Sequence, residues 1–173
     1  MPINHRNLKA HAQKKEHENW EFRQFLKFYD DLSEEELDKL VFSIADQVEL
    51  NTKCTLCGQC CKELRPTLSD IDQHRLAQGL GMPVEQLRMQ FLEYTHEDGE
   101  SKWQIKSIPC MFFRDNKCTV YAFRPQDCRD YPYLHVPDFN SRTMGMIERT
   151  FTCPMVYNVM EELKKRLKFH TRR

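Results

Sequence analysis

The feature that most constrains this chain is a group of four cysteines within eight residues, Cys54-Thr55-Leu56-Cys57-Gly58-Gln59-Cys60-Cys61. Cysteine packs as a small hydrophobe, but its reactivity usually decides its role. Two residues between successive thiols let both sulfurs converge on one metal ion across a tight turn. Gly58 stands within the second spacing, where a residue able to adopt positive φ is useful. The segment therefore predicts a metal site.

Four more cysteines complete the set of candidate metal ligands: Cys110, Cys118, Cys128 and Cys153. Because the side chains of adjacent residues diverge, Cys60 and Cys61 are expected to serve different metals. Eight thiolates can form two four-ligand sites or one polynuclear cluster with bridging sulfurs. The four-coordination of zinc and of cluster iron favours two sites, or one cluster and one ion.

Length and composition exclude several classes of protein. A chain of 173 residues with 30% charged residues suits one domain with a helical extension. The formal net charge is zero, so no overall field favours nucleic acid or an anionic membrane as a partner. No stretch approaches the roughly 18 apolar residues of a membrane span, and residues 1–21 lack the apolar run of a signal peptide. We therefore expect a cytoplasmic protein with reduced thiols, and a disulfide framework is the less favoured interpretation.

Residues 1–50 contain no cysteine and are predicted to form a helical arm. Ser33 and Glu36 match a capping box at the start of its second helix. An apolar stripe at three- and four-residue intervals then follows, formed by Leu37, Leu40, Val41, Ile44 and Val48. We expect the arm to pack over the metal core, and its many aromatic residues leave open a role in docking a protein partner.

Residues 51–173 are predicted to form the cysteine domain, with a helix from Ser69 to about Gln78 that Gly79 and Gly81 stop. Further helices are expected from Pro83 through Leu92, as a turn after Pro125 that carries Cys128, and from Cys153-Pro154 to the C-terminus. Residues 134–149 are expected to be irregular.

The β-structure of this domain is predicted to be small. Residues 95–100 are expected to form a polar turn, and the alternation of Trp103, Ile105 and Ile108 suggests a strand. Asp115-Asn116 is expected to turn a hairpin. The fold class is therefore mainly α with a small β-hairpin: a compact, metal-organised cysteine-cluster domain with an N-terminal helical arm.

Several short motifs recur together in this chain: Cys-x2-Cys-x2-Cys-Cys from Cys54, Pro109-Cys110, Cys118-x2-Tyr121, and Arg124-Pro125-x2-Cys128-Arg129. In this combination the chain resembles the CxxCxxCC cysteine-cluster family (YkgJ-like), which is described as a zinc- or iron-chelating domain. The resemblance covers roughly residues 54–153. It implies metal binding through these cysteines. Flagellin lysine N-methylases carry a similar cluster, but they are much longer, and this chain has no GxGxxG nucleotide loop, so methyl transfer is not inferred.

The identity of the metal stays open between zinc and iron, because all-thiolate sites suit both. Cys54-x2-Cys57-x2-Cys60 with a distant fourth cysteine is close to the bacterial ferredoxin run, and Cys153-Pro154 is similar to its Cys-Pro end. Zinc ribbons usually present two separated CxxC pairs. The spacing therefore favours an iron–sulfur cluster, 4Fe–4S in type, for at least one site. Such a centre carries a net charge of about minus two, which Arg124 and Arg129 beside Cys128 are candidates to offset as cofactor-binding residues.

Three functions follow from a cysteine-bound metal. The first is a structural zinc ion or iron–sulfur cluster in a protein that presents a surface to a partner. The second is a redox or protein-modifying enzyme that depends on an iron–sulfur cluster, and the third is metal delivery. No acid–base pair lies beside the cysteines, so the first interpretation is preferred, and catalytic residues cannot be named. Nucleic-acid binding is disfavoured because the aromatic residues near the cysteines are not interleaved with an excess of positive charge.

Overall fold

The computed structural model of the chain describes residues 5–52, 57–97 and 99–171. The prediction of a mainly α fold with a small β-hairpin is confirmed. The described residues form eight α-helices, namely α1 Leu8–Lys27, α2 Glu34–Leu50, α3 Gln59–Glu63, α4 Asp70–Leu80, α5 Val84–Phe91, α6 Gln126–Asp130, α7 Phe139–Arg149 and α8 Pro154–Arg166. They also form five strands, β1 Thr67–Leu68, β2 Leu92–Glu97, β3 Glu100–Ile105, β4 Phe113–Arg114 and β5 Lys117–Cys118. None of these helices combines the length and apolar character that crossing a membrane requires.

The chain divides into two compact units. The first, which we call the helical unit, comprises Met1–Lys53 and Pro132–Arg173, and the second, the cysteine unit, comprises Cys54–Tyr131. The sequence predicts a domain boundary at residue 50, with a helical arm before it and a cysteine domain after it. This division into functional domains stays a prediction.

The helical unit is built from four amphipathic helices, α1, α2, α7 and α8. The predicted capping box of α2 is present: the Ser33 hydroxyl accepts from the Glu36 N–H, and the Glu36 carboxylate accepts from the Ser33 N–H at 2.8 Å. The apolar residues that α1, α2, α7 and α8 bury form the core of this unit, and they include Phe22, Leu26, Val41, Ile44, Phe139, Met146, Val156, Val159 and Leu163. Helix α8 begins with Pro154 after Cys153, as predicted.

Residues 134–149 are not irregular, because Phe139–Arg149 form helix α7. Its N-cap residue, Asp138, has a φ of 59° and makes no capping hydrogen bond with its own side chain. The cap comes from α2 instead. The buried Asp38 carboxylate accepts from the backbone N–H groups of Asp138 at 2.8 Å and of Phe139 at 2.9 Å. A negative charge at a helix N-terminus satisfies free N–H groups and interacts favourably with the helix dipole.

Asp38→Ala should therefore destabilise the helical unit. It leaves two N–H groups at the start of α7 without their acceptor, which we expect to cost about 1–3 kcal/mol. Chemical denaturation followed by circular dichroism measures this loss. Glu35→Ala, which removes an exposed carboxylate from the same helix, is the control and should leave the midpoint unchanged. Equal midpoints for Asp38→Ala and the wild type would show that α7 needs no external cap.

The cysteine unit contains a three-stranded antiparallel sheet in the order β1-β3-β2 and the two-stranded hairpin β4-β5. The polar turn predicted at residues 95–100 is shorter than expected, because Thr95–Glu97 continue β2 and pair with residues of β3. The helix predicted to run through Leu92 ends at Phe91, and Leu92 already pairs with Ile105. The core of this unit is formed by Leu68, Leu76, Ala77, Leu87, Leu92, Ile105, Phe112 and Val120, and the side chains of Cys110 and Cys118 pack against it.

Helix α4 starts at the predicted Ser69 cap and runs through Gly79, which does not stop it. A Cβ atom at Gly79 would lie 2.3 Å from Cγ of Phe123, so this glycine gives room for an aromatic ring from the 3-10 turn Tyr121–Phe123. The helix ends at Gly81, which has a φ of 67°. Of the two glycines expected to act as stops, one therefore ends the helix and the other allows packing.

Candidate metal centre

The structure describes the CxxCxxCC segment from Cys57 onward, and this part leads into the short helix α3. Gly58 caps this helix with a φ of 61°, and a Cβ atom there would lie 2.1 Å from Cζ of Phe113. Glycine is therefore needed both for the backbone conformation and for the ring that covers it. Cys60 and Cys61 follow in α3. Cys54 lies outside the described residues.

The hairpin β4-β5 brings two further cysteines to this helix. Asp115 and Asn116 turn it with φ angles of 51° and 57°, as predicted, and two positive φ angles are typical of a type I′ turn. Cys118 ends β5, and Cys110 precedes β4. The Cys110 N–H donates to the Cys61 carbonyl at 2.7 Å, which joins the hairpin segment to α3 directly.

The helical turn that carries Cys128, α6, is held by two carboxylates. Asp127 Oδ2 accepts from the N–H of Thr67 at 2.8 Å and so ties α6 to β1. The buried Asp72 on α4 accepts from the N–H of Gln126 at 3.0 Å through Oδ1. Sequence reasoning did not identify these positioning residues, because each bond joins residues more than 50 positions apart.

Asp72 is the centre of a larger network. Arg75 Nη2 donates to Asp72 Oδ1 at 2.7 Å and to the Arg124 carbonyl at 2.8 Å. The hydroxyl of Ser69 donates to Asp72 Oδ2 at 2.8 Å. Burial works to raise the pKa of Asp72, but the hydrogen bonds from Ser69 and Gln126, with the Arg75 charge, lower it overall. Its stabilising contribution is therefore present at neutral pH and lost as the pH falls through that lowered pKa.

Burial and neighbouring thiols raise the pKa values of three cysteines in this unit. Burial raises the pKa of Cys110 to about 11, and the Cys61 and Cys118 thiols act in the same direction. Burial raises the pKa of Cys128 to about 12, with contributions from Asp127 and from the Cys61, Cys110 and Cys118 thiols. The pKa of Cys118 is raised by burial and by Cys61. Cys61 therefore lies within electrostatic range of the two thiols of the hairpin segment and of Cys128 in α6.

Cys61 itself differs from these neighbours. A hydrogen bond with Cys60 lowers its pKa to about 7, against the effect of burial, and the Arg124 and Lys62 charges help. In the metal-free protein near pH 7, Cys61 is thus partly thiolate, whereas Cys110 and Cys128 are protonated. The ammonium of Lys62 lies 5.5 Å from the centroid of the Phe113 ring, and this cation–π contact helps to fix the position of the Lys62 charge.

The predicted cofactor-binding arginines have different environments. The Arg124 guanidinium stacks over the Tyr121 ring, 3.9 Å from its centroid, and its charge acts on Cys61 and Cys118. Arg129 instead donates to two backbone carbonyls, that of Arg124 at 3.2 Å and that of Ala122 at 3.3 Å. Arg124 is therefore the residue whose charge reaches the thiols, and Arg129 stabilises the turn that carries it.

Among the described cysteines, Cys57, Cys60, Cys61, Cys110, Cys118 and Cys128 belong to the cysteine unit, whereas Cys153 belongs to the helical unit, where it is buried. All seven described cysteines are free of disulfide bonds. Several half-buried thiols from separate segments, with a cationic side chain nearby, are a donor set that suits zinc or an iron–sulfur cluster. The assignment of all eight cysteines as ligands stays a prediction.

Comparison with known families agrees with this donor set. A family model, CxxCxxCC, described as "Putative zinc- or iron-chelating domain", matches residues 53–154. The chain belongs to this family. The match spans the whole cysteine unit and ends just after Cys153. No curated protein and no solved structure gives a significant match to the chain. The family supports metal binding through the cysteines and leaves the choice between zinc and iron open.

Asp72→Asn should weaken the frame of the metal centre. It removes the charge that pairs with Arg75 and leaves buried donors without a full set of acceptors, so we expect a loss of about 1–3 kcal/mol in stability. Bound metal should also pass faster to a chelator. Asp70→Asn, an exposed change on the same helix that makes no bond to residues 124–128, is the matched control. If both variants release metal at the wild-type rate, Asp72 does not position the thiols.

The pKa differences predict an order of thiol alkylation in the reduced, metal-free protein. At pH 7 Cys61 should react with iodoacetamide faster than Cys110 or Cys128, because the thiolate is the nucleophile. Its rate should rise with pH and level off above about 7, whereas the other two rates should still be rising at pH 9. Peptide mass spectrometry after timed quenching measures each rate. Similar rates at pH 7, in a metal-free protein whose circular dichroism spectrum matches that of the loaded protein, would contradict the assigned environments.

Proposed function

We propose that the cysteine unit holds an iron–sulfur cluster through four of its thiolates, drawn from the CxxCxxCC segment and from Cys110, Cys118 and Cys128, and that the bound group mainly stabilises this unit. The observation that carries the proposal is the hydrogen bond from the Cys110 N–H to the Cys61 carbonyl at 2.7 Å, which holds the hairpin segment with Cys110 and Cys118 against the helix that carries Cys60 and Cys61. Thiols so gathered repel one another once they are ionised, and a metal group removes that cost.

The spacing of the cysteines along the chain favours a cluster over a single zinc ion. Cys54, Cys57 and Cys60, followed by a distant fourth cysteine, are close to the bacterial ferredoxin run. Zinc ribbons usually present two separated CxxC pairs instead, whereas the CxxC spacings of this chain are confined to residues 54–60.

The structural role is supported by the small size of the elements that carry the thiols. Helices α3 and α6 have five residues each, and the strands of the hairpin have two. Elements this short have little stability of their own in water. A group bonded to several of them at once would contribute free energy to folding directly.

Arg124 is proposed to offset the negative charge of the bound cluster. A four-iron cluster with four thiolates carries a net charge of about minus two in its oxidised state. Such a cluster also supplies one-electron redox chemistry where its potential allows. The guanidinium of Arg124, fixed by stacking on Tyr121, would stabilise the anionic thiolates whether or not that chemistry is used.

We further propose that the protein works in the cytoplasm, where thiols stay reduced, and that residues 1–50 contact a protein partner. The support for a partner is the presence of large apolar side chains on this segment, of which Phe28 and Leu50 are 83% and 87% exposed. An enzyme that depends on the cluster, or a protein that delivers metal, are the alternatives.

Anaerobic purification with iron, zinc and acid-labile sulfide analysis tests the cluster. We expect a brown protein with about four irons and four sulfides per chain, as for a 4Fe–4S cluster. Cys118→Ser should lose the visible absorption, and Ala122→Ser, an exposed change beside the hairpin, should keep it. A colourless protein with stoichiometric zinc and no sulfide would contradict the cluster.

Cys153→Ser in the same experiment tests the eighth predicted ligand. Loss of iron and sulfide would support the prediction that Cys153 is a ligand. Unchanged iron and sulfide would remove Cys153 from the ligand set, while leaving the proposal for the cysteine unit intact.

A further inference from the structure

A second group of metal-binding side chains lies in the helical unit. Asp46 and Glu49 are three residues apart near the C-terminus of α2, and His135 lies in the segment that precedes α7. His135 Nε2 is 2.9 Å from Asp46 Oδ1, and its Nδ1 is 3.7 Å from Glu49 Oε1. One donor atom from each of the three residues lies within 4.8 Å of the other two. In the part of the chain that the structure describes, no other three metal-binding side chains meet this spacing.

The three side chains are presented by ordered elements and remain open to solvent. Residues three apart on a helix share one face, so α2 directs both carboxylates to the same side. The imidazole of His135 lies against the Phe42 ring, with 5.7 Å between the ring centroids. All three residues are exposed, so an ion and its water ligands can reach them.

The local charge also favours a cation. The C-terminus of a helix carries a partial negative charge, and cationic side chains are favoured there. The last turn of α2 contains no basic residue, yet Asp46 and Glu49 add two negative charges beside it.

We propose that Asp46, Glu49 and His135 bind a divalent transition-metal ion of the manganese or zinc type, through two carboxylate oxygens and one imidazole nitrogen. Imidazole and carboxylate together select such ions over calcium or magnesium, which prefer oxygen ligands alone. In the metal-free protein a hydrogen bond holds His135 Nε2 and Asp46 Oδ1 at 2.9 Å. Neighbouring donors around a six-coordinate ion with bonds of about 2.1 Å lie about 3 Å apart, so an ion that replaces the shared proton needs little change in this spacing. Water completes the coordination, so the ion exchanges readily. This site does not depend on the function proposed for the cysteines.

Titration of the full-length protein with Mn²⁺, followed by electron paramagnetic resonance of the free ion, tests the site. The protein is used with its cysteine-bound metal in place, because Mn²⁺ competes poorly for thiolates. We expect one bound Mn²⁺ per chain that Asp46→Asn and His135→Gln each weaken by about tenfold or more, since even outer-sphere changes cost about 10- to 100-fold. Glu35→Gln, which removes the same charge from the other end of α2, is the matched control and should bind Mn²⁺ as the wild type does.

A second readout uses the unaltered protein. Bound Mn²⁺ should broaden the amide NMR signals of residues 46–49 and 135 before those elsewhere, and this result does not depend on how any variant folds. Equal Mn²⁺ affinity in Asp46→Asn, His135→Gln and the control would overturn the proposal. NMR broadening centred on other residues would also overturn it. Circular dichroism is used to confirm that both variants fold, so that an unchanged Mn²⁺ affinity counts against the site.

Discussion

The arrangement of the thiols depends on a buried carboxylate. Asp72 accepts hydrogen bonds at both oxygens, from its own helix at Ser69 and from the backbone of Gln126. Through Arg75 it also holds the carbonyl of Arg124. One side chain on a regular helix thereby places the segment that carries both Cys128 and the guanidinium acting on Cys61. The cysteine unit thus builds a site from irregular segments by fixing them to regular elements at a few polar points.

Local signals explain the parts of this fold that could be predicted. The helix-capping motifs at Ser33 and Ser69 each lie within four residues, so they identify the starts of α2 and α4 without any knowledge of the fold. Asp115-Asn116 likewise turns its own hairpin. The cysteine spacing predicts a metal site for the same reason, because four of the candidate ligands are close in sequence.

The parts that could not be predicted depend on distant partners. Helix α7 has no cap of its own, and its acceptor is Asp38, 100 residues away. Gly79 resembles a helix stop until the ring of Phe123 is known to lie against it. Lys164 lies in the basic last turn of α8, where lysine is usually exposed, yet it is buried and donates to Glu18 at 2.7 Å and Asn19 at 3.0 Å. In each case tertiary contact overrides a local rule.

The two candidate sites differ in their ligand atoms and therefore favour different metals. The cysteine unit offers soft, half-buried thiolates, and the group Asp46, Glu49 and His135 offers exposed oxygen and nitrogen donors. A thiolate-bound group bonded to several short segments cannot leave without loosening them, whereas an ion on exposed side chains of an already folded helix leaves at little cost. The first site is therefore suited to permanent occupation. The proposed second site is suited to report the concentration of a free ion, because its occupancy follows that concentration while the fold stays the same.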